Sequence, residues 1–137
     1  MSFLVDTNVL SEMRKGDRCN ESVAAWFSTV AEDEIFISVL TIGEIRKGIE
    51  QVRRRDGRHA LALEAWLAWL IDRHRGRILT VELDIVEEWG RLSVPDPLPV
   101  IDGLLAATAR LRRLTLVTRN VVDIARTGVD SFNPWQS

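Results

Sequence analysis

Phe3-Leu4-Val5-Asp6-Thr7-Asn8-Val9-Leu10 opens the chain with an uninterrupted apolar run, an acid, two polar residues and a return to apolar character. A run without polar alternation suits a strand buried on both faces, as in a parallel sheet covered by helices. Asp6, Thr7 and Asn8 can cap a helix, so Val9, Leu10 and Met13 begin a short one that Lys15-Gly16-Asp17 ends. The same reading extends outward along the chain. Ile35-Phe36-Ile37-Ser38-Val39, Arg77-Ile78-Leu79-Thr80-Val81 and Leu114 to Thr118 are further strands, and Val129 to Phe132 is an edge strand stopped by Asn133-Pro134-Trp135.

Helices fill the intervals. Asn20 or Ser22 caps one that carries Val23, Trp26, Phe27 and Val30 at helical spacing. The next runs from Leu40 or Thr41 to Arg55, with Ile42, Ile45, Ile49 and Val52 on one stripe. A turn at Asp56-Gly57 leads into an apolar helix from His59 to Ile71, so the pair forms an αα-hairpin. Asp84 to Leu92 and Asp102 to Arg112 are helical, separated by a loop holding Pro95, Pro97 and Pro99. Val121 to Ala125 is a short helical turn. Strands alternating with helices predict an α/β fold, with a mainly parallel, four- to five-stranded sheet flanked by helices and a protruding αα-hairpin. With no internal repeat and no long linker, residues 1–137 read as one domain.

Four acids follow apolar runs that are remote from one another in sequence. Asp6 closes the first strand, Glu44 lies just beyond the second, Asp102 opens a helix after Val100-Ile101, and Asp123 follows the last internal strand and its Thr118-Arg119-Asn120 cap. Parallel strands would bring these acids to one crevice at their carboxyl ends. At an effective dielectric of ~20, two like charges ~4 Å apart repel by about 4 kcal/mol. Such a gathering calls for a cation and raises at least one carboxyl pKa without it. Oxygen-only ligands suit Mg²⁺ or Mn²⁺, which can activate water and neutralise a phosphate. Taken singly, each acid also has an ordinary reading: a helix cap for Asp6 and Asp102, a solvated helix residue for Glu44, a polar turn residue for Asp123. Gly48, one turn from Glu44, costs its helix roughly 1 kcal/mol relative to Ala. Close approach of another element or of a ligand would account for it.

Bulk properties narrow the function classes. The chain has a 46% hydrophobic fraction, 28% charged residues and a net charge of -2, so it is built to fold and shows no overall basic excess. A domain of this length buries about two-thirds of its unfolded surface. Lone Cys19 excludes a disulfide framework, and His59 and His74 are too few for a histidine-rich zinc site. Met1 reaches Asp6 almost at once, without a signal peptide, and no apolar stretch approaches a membrane span. The expectation is a reduced, cytoplasmic protein.

Several segments together resemble the PIN-domain family, and its VapC/FitB branch of bacterial toxins. They are Asp6-Thr7-Asn8-Val9-Leu10-Ser11-Glu12, Thr41-Ile42-Gly43-Glu44-Ile45, Ile101-Asp102-Gly103-Leu104-Leu105-Ala106-Ala107-Thr108-Ala109, Leu116-Val117-Thr118-Arg119-Asn120 and the ending Phe132-Asn133-Pro134-Trp135. The resemblance spans essentially the whole chain. It implies a Mg²⁺-dependent ribonuclease, the toxin of a type II toxin–antitoxin pair. Asp6 and Asp102 would be the metal ligands, Glu44 the third acid, and Thr7, Asn8 and Thr118 would orient the acids or a bound water. Many family members carry an acid directly after Thr-Arg, where this chain has Asn120. Either Asp123 replaces it or Asn120 acts through its carbonyl oxygen. A VapB/FitA-like antitoxin and homodimerisation are implied too. Two alternatives stand beside this reading. One is a PIN-like binding or scaffold module that has lost catalysis, favoured by Asn120. The other is a different acidic-cluster phosphohydrolase, whose Asp-x-Asp proton shuttle Asn8 would break.

The surfaces are read with the same alternatives. Arg119, beside the crevice, either contacts RNA or pairs with one of the acids. Arg46, Lys47, Arg53, Arg54, Arg55 and Arg58 form either a basic approach for RNA or a solvated helix end. Trp66, Trp69 and Leu70 either complete the core or face a partner, and Trp135 packs somewhere near the chain end.

Overall fold

A computed structural model describes residues 1–136; Ser137, the last residue of the expected domain, lies outside them. The strands are β1 (Phe3–Val5), β2 (Ile35–Ser38), β3 (Ile78–Leu79), β4 (Thr115–Val117) and β5 (Ser131–Phe132). The helices are α1 (Thr7–Met13), α2 (Glu21–Ser28), α3 (Val39–Arg53), α4 (Gly57–Arg73), α5 (Leu83–Leu92), α6 (Val100–Arg112) and α7 (Val121–Ile124). The sheet runs in the order β3-β2-β1-β4-β5, and every pairing in it is parallel. The chain first winds outward from β1 through β2 to β3, then crosses back to β4. Strand order therefore reverses at β1 and β4, where open α/β sheets place their ligands.

Alternate residues of the central strands feed two cores. Val5, Val117 and Ile37 face a layer built with Val9, Val23, Ile45, Ile49, Ala60, Leu67 and Leu70. Leu4 and Leu116 face the other, with Leu105, Ala106, Ala109 and Ile124. Both faces are thus apolar, which explains the unalternated runs in the sequence.

Capping sets the helix starts, and several come earlier than the sequence reading: α3 at Val39 rather than Leu40 or Thr41, and α5 at Leu83 rather than Asp84, besides α4 and α6. Asn20, rather than Ser22, caps α2 by accepting from the amides of Ser22 and Val23. Ser38 caps α3 through the Leu40 amide at 3.0 Å. Asp56 accepts from the His59 amide at 3.0 Å, so α4 starts at Gly57 rather than His59. Pro99 precedes α6, which begins at Val100; Asp102 stands inside the first turn instead of opening the helix. Proline's fixed φ suits it to a helix start. The αα-hairpin is α3 and α4, whose inner faces supply Ile45, Ile49, Ala60, Leu67 and Leu70 to the first core.

Candidate metal centre

Asp6 leaves β1 beside β4: its amide donates to the Val117 carbonyl at 2.9 Å. The carboxylate is nearly closed off, 6% exposed, and is held from both sides. One oxygen accepts from the Thr7 amide at 2.7 Å. The other accepts from the Thr118 hydroxyl at 2.7 Å and from the Asn8 amide group at 3.5 Å. Thr118 is itself buried and receives the Asn120 amide at 3.1 Å. Asp6 therefore caps α1 and also anchors the site, so the ordinary and functional readings both apply. Charge-assisted bonds of this kind hold a carboxylate in one orientation.

Glu44 projects from the second turn of α3 and accepts from the Thr7 hydroxyl at 2.7 Å. Thr7 thus joins the two acids, giving its backbone amide to Asp6 and its hydroxyl to Glu44. Asp102 is half-buried, and its carboxyl is pushed above the usual carboxylate range. Burial is the largest cause; the negative charges of Asp6, Glu44 and Asp123 follow. A helix N-terminus favours an anion, so desolvation and like charge outweigh the dipole here. The repulsion expected from the sequence is present, second to desolvation. Asp123 is exposed on α7, and its charge reaches Asp102. Asn120 precedes α7, but its side chain makes no capping bond.

The donors in this crevice are all oxygens, which matches a hard divalent cation. Among the described residues, no three Asp, Glu, His or Cys side chains close round a point as a finished metal cage would. Mg²⁺ suits an incomplete cage, because it keeps several waters and takes one or two carboxylates. Residues that sequence reasoning offered elsewhere are employed differently. Arg46 and Arg53 are engaged by Glu50 on the same helix and by Glu64 across the hairpin, so that end of the basic run is an ion-pair network. Gly48 has open space where a Cβ would stand, so no neighbouring element requires it. It lines, with Thr7 and Glu44, a cavity of about 240 Å³.

Trp66, Trp69 and Leu70 divide. Leu70 is core, Trp66 is partly buried with the Arg14 guanidinium over its ring, and Trp69 is 54% exposed. Together they line an apolar cleft of about 280 Å³ with Leu10, Met13 and Phe27. Arg119 does not pair with the acids; its guanidinium lies over the Trp135 ring, 4.6 Å from the centroid. Asn133, read from the sequence only as part of the strand stop and the closing motif, accepts from the Trp135 amide at 2.9 Å and donates to the Arg119 carbonyl at 3.5 Å. Its one sequence signal was the Asn-Pro pair, a turn former by side-chain hydrogen bonding.

Comparison with known proteins agrees with this architecture. The model of the PIN domain family matches residues 3–128. The chain is 28% identical over 138 residues to toxin FitB of Neisseria gonorrhoeae, covering 97% of this chain and 98% of that protein. It is 27% identical over 143 residues to the VapC ribonuclease Y4jK of Sinorhizobium fredii, covering 98% of each. The crystal structure of FitAcB from Neisseria gonorrhoeae superposes with a TM-score of 0.89 at 28% identity, covering 98% of this chain and 99% of that one.

Proposed function

Since this chain belongs to the PIN-domain family, we propose that it is the toxin of a type II toxin–antitoxin pair and acts as a Mg²⁺-dependent ribonuclease. The observation that carries the reading is Thr7 joining Asp6 and Glu44, with half-buried Asp102 near enough to feel both: burial first, then the charges of Asp6, Glu44 and Asp123, push its carboxyl up. The names of the relatives, a toxin and a ribonuclease, support it. Asp6 and Asp102 would hold Mg²⁺, or Mn²⁺ in its place. Glu44 is the third acid, and Asn120 or Asp123 completes the outer side. The bound cation would lower the pKa of a water and neutralise charge on the substrate phosphate.

The remaining work falls to the chain's own groups. Thr118 and Asn8 fix the Asp6 carboxylate, so it meets the crevice in a single orientation. Thr7 fixes Glu44, leaving its second oxygen free to take a proton from the attacking water. General-base assistance of this kind contributes about 10²–10⁴ in rate. The buried surroundings of Asp6 and Thr118 keep these hydrogen bonds away from competing water.

The implied partners are RNA, a second copy of the chain and a VapB/FitA-like antitoxin, in the cytoplasm. The cleft at Trp69 offers an apolar side chain of the antitoxin a place beside the hairpin. No helix among the described residues is long and apolar enough to cross a membrane. The test is cleavage of single-stranded and structured RNA by the purified chain with Mg²⁺. Activity should be lost with chelator and in Asp6→Asn. Full activity of Asp6→Asn, or cleavage indifferent to chelator, overturns the reading.

A further inference from the structure

Arg119 follows Thr118, whose hydroxyl holds Asp6, so it stands at the edge of an acidic crevice. A guanidinium in that place would ordinarily fold onto a carboxylate. Here its backbone is pinned on both sides: its amide donates to the Asn8 side chain at 3.4 Å and its carbonyl accepts from Asn133 at 3.5 Å. The side chain is exposed and lies over the Trp135 ring; its charge reaches Glu12, but among the described residues it makes no ion pair with a carboxylate. Trp135 is well anchored for this. It packs against the first core, and its amide is held by Asn133 at 2.9 Å. An aromatic face attracts a guanidinium electrostatically while leaving its N–H donors free.

We propose that Trp135 is a positioning residue that keeps the Arg119 guanidinium off the acids and presents it to an RNA phosphate next to the cleavage site. The inference rests on the ribonuclease reading and deepens it. An arginine paired with Asp6 or Asp102 would neutralise the crevice and lose its donors. Stacked on the indole, it keeps a full charge and a planar edge that fits a phosphate bidentately.

The experiment is steady-state cleavage of a short single-stranded RNA by the full chain with Mg²⁺, at several salt concentrations. Arg119→Ala should raise KM roughly tenfold, with the effect on KM rather than kcat. Loss of one phosphate contact should flatten the dependence of log(kcat/KM) on log salt by about 0.7. Trp135→Leu keeps apolar bulk without the ring face, and should shift KM and the salt slope in the same direction. Trp135→Phe should restore much of both. In the Arg119→Ala background, Trp135→Leu should add nothing, because the two act through one contact. An unchanged KM in Arg119→Ala, or additive effects in the double variant, overturns the proposal while the ribonuclease reading stands. An inactive wild-type chain removes both.

Discussion

Thr118 shows how much a single hydroxyl can carry in this molecule. Buried just beyond β4, it donates to Asp6 and accepts from the Asn120 amide. Thr118→Val keeps the volume but frees the Asp6 carboxylate, and should lower Mg²⁺ affinity or cleavage about 10–100-fold. Mg²⁺ titration followed by activity checks this; wild-type affinity in that variant would count against the assigned role. Asp102 yields the opposite kind of expectation. Its folded pKa is raised, so the folded chain binds more protons than the unfolded one between the ordinary carboxylate value of 3.8 and the raised value. Stability contributed by this group is present at low pH and falls as pH rises through that window. At neutral pH without metal the Asp102 charge is therefore a destabilising one. Asp102→Asn should melt higher than wild type in EDTA, and should lack the rise in Tm with Mg²⁺ that the proposed metal site predicts for the wild-type chain. A lower Tm in EDTA would contradict the account.

At the level of elements, two glycines reverse the order of importance that sequence suggests. Gly48 in α3 stands out beside Glu44, yet a Cβ there meets nothing. Gly48→Ala should stabilise the fold by roughly 0.5–1 kcal/mol in urea unfolding, by the helix propensity difference alone. Gly103 in α6 sits in a motif where its neighbour Asp102 takes the attention. A Cβ on Gly103 would come 2.9 Å from Cδ1 of Trp89, in the tight crossing of α5 and α6. Gly103→Ala should cost about 1–3 kcal/mol, by overpacking. In the hairpin, Glu64 accepts from both Arg46 and Arg53, all three being a third or more exposed. Such a network adds little at the surface. Glu64→Ala should lower stability by under about 1 kcal/mol, and less again in high salt.

Across the whole molecule, one ion pair ties remote parts of the second layer. Glu88 on α5 is buried and is held by Arg91 and by Arg110 of α6, and Arg110 also donates to the Thr127 carbonyl. The Arg91 hydrogen bond, then Arg110, lower the Glu88 carboxyl below its ordinary value of 4.5 against the opposing cost of burial. The sign is the reverse of Asp102: this stability is present above the ordinary value and is lost as pH falls through the lowered one. Glu88→Gln should cost about 1–3 kcal/mol at pH 7, with the gap from wild type closing in acid. Equal losses at pH 7 and in acid would show that the charge is not what matters.

Periodicity and apolar runs determined the alternation of strands and helices, because a chain buried on both faces of a sheet cannot alternate polar residues. The same runs placed Asp6 and Glu44 just beyond strand ends and Asp102 at a helix start, and the recurring segments carried the family. Helix starts were legible only to within two residues at α4 and α6, where Asp56 and Pro99, acting locally, outweigh the apolar pattern. What sequence alone left open were the choices that depend on distance. Arg119 could contact RNA or pair with an acid, Trp69 could complete the core or face a partner, and Arg46 could belong to an RNA approach or to a solvated helix end. Only the tertiary structure decided what each side chain touches, because each contact is a contest between neighbours that the chain brings together from far apart, settled by which charge or ring face lies within a few ångströms: Trp135 for Arg119, and Glu64 for Arg46.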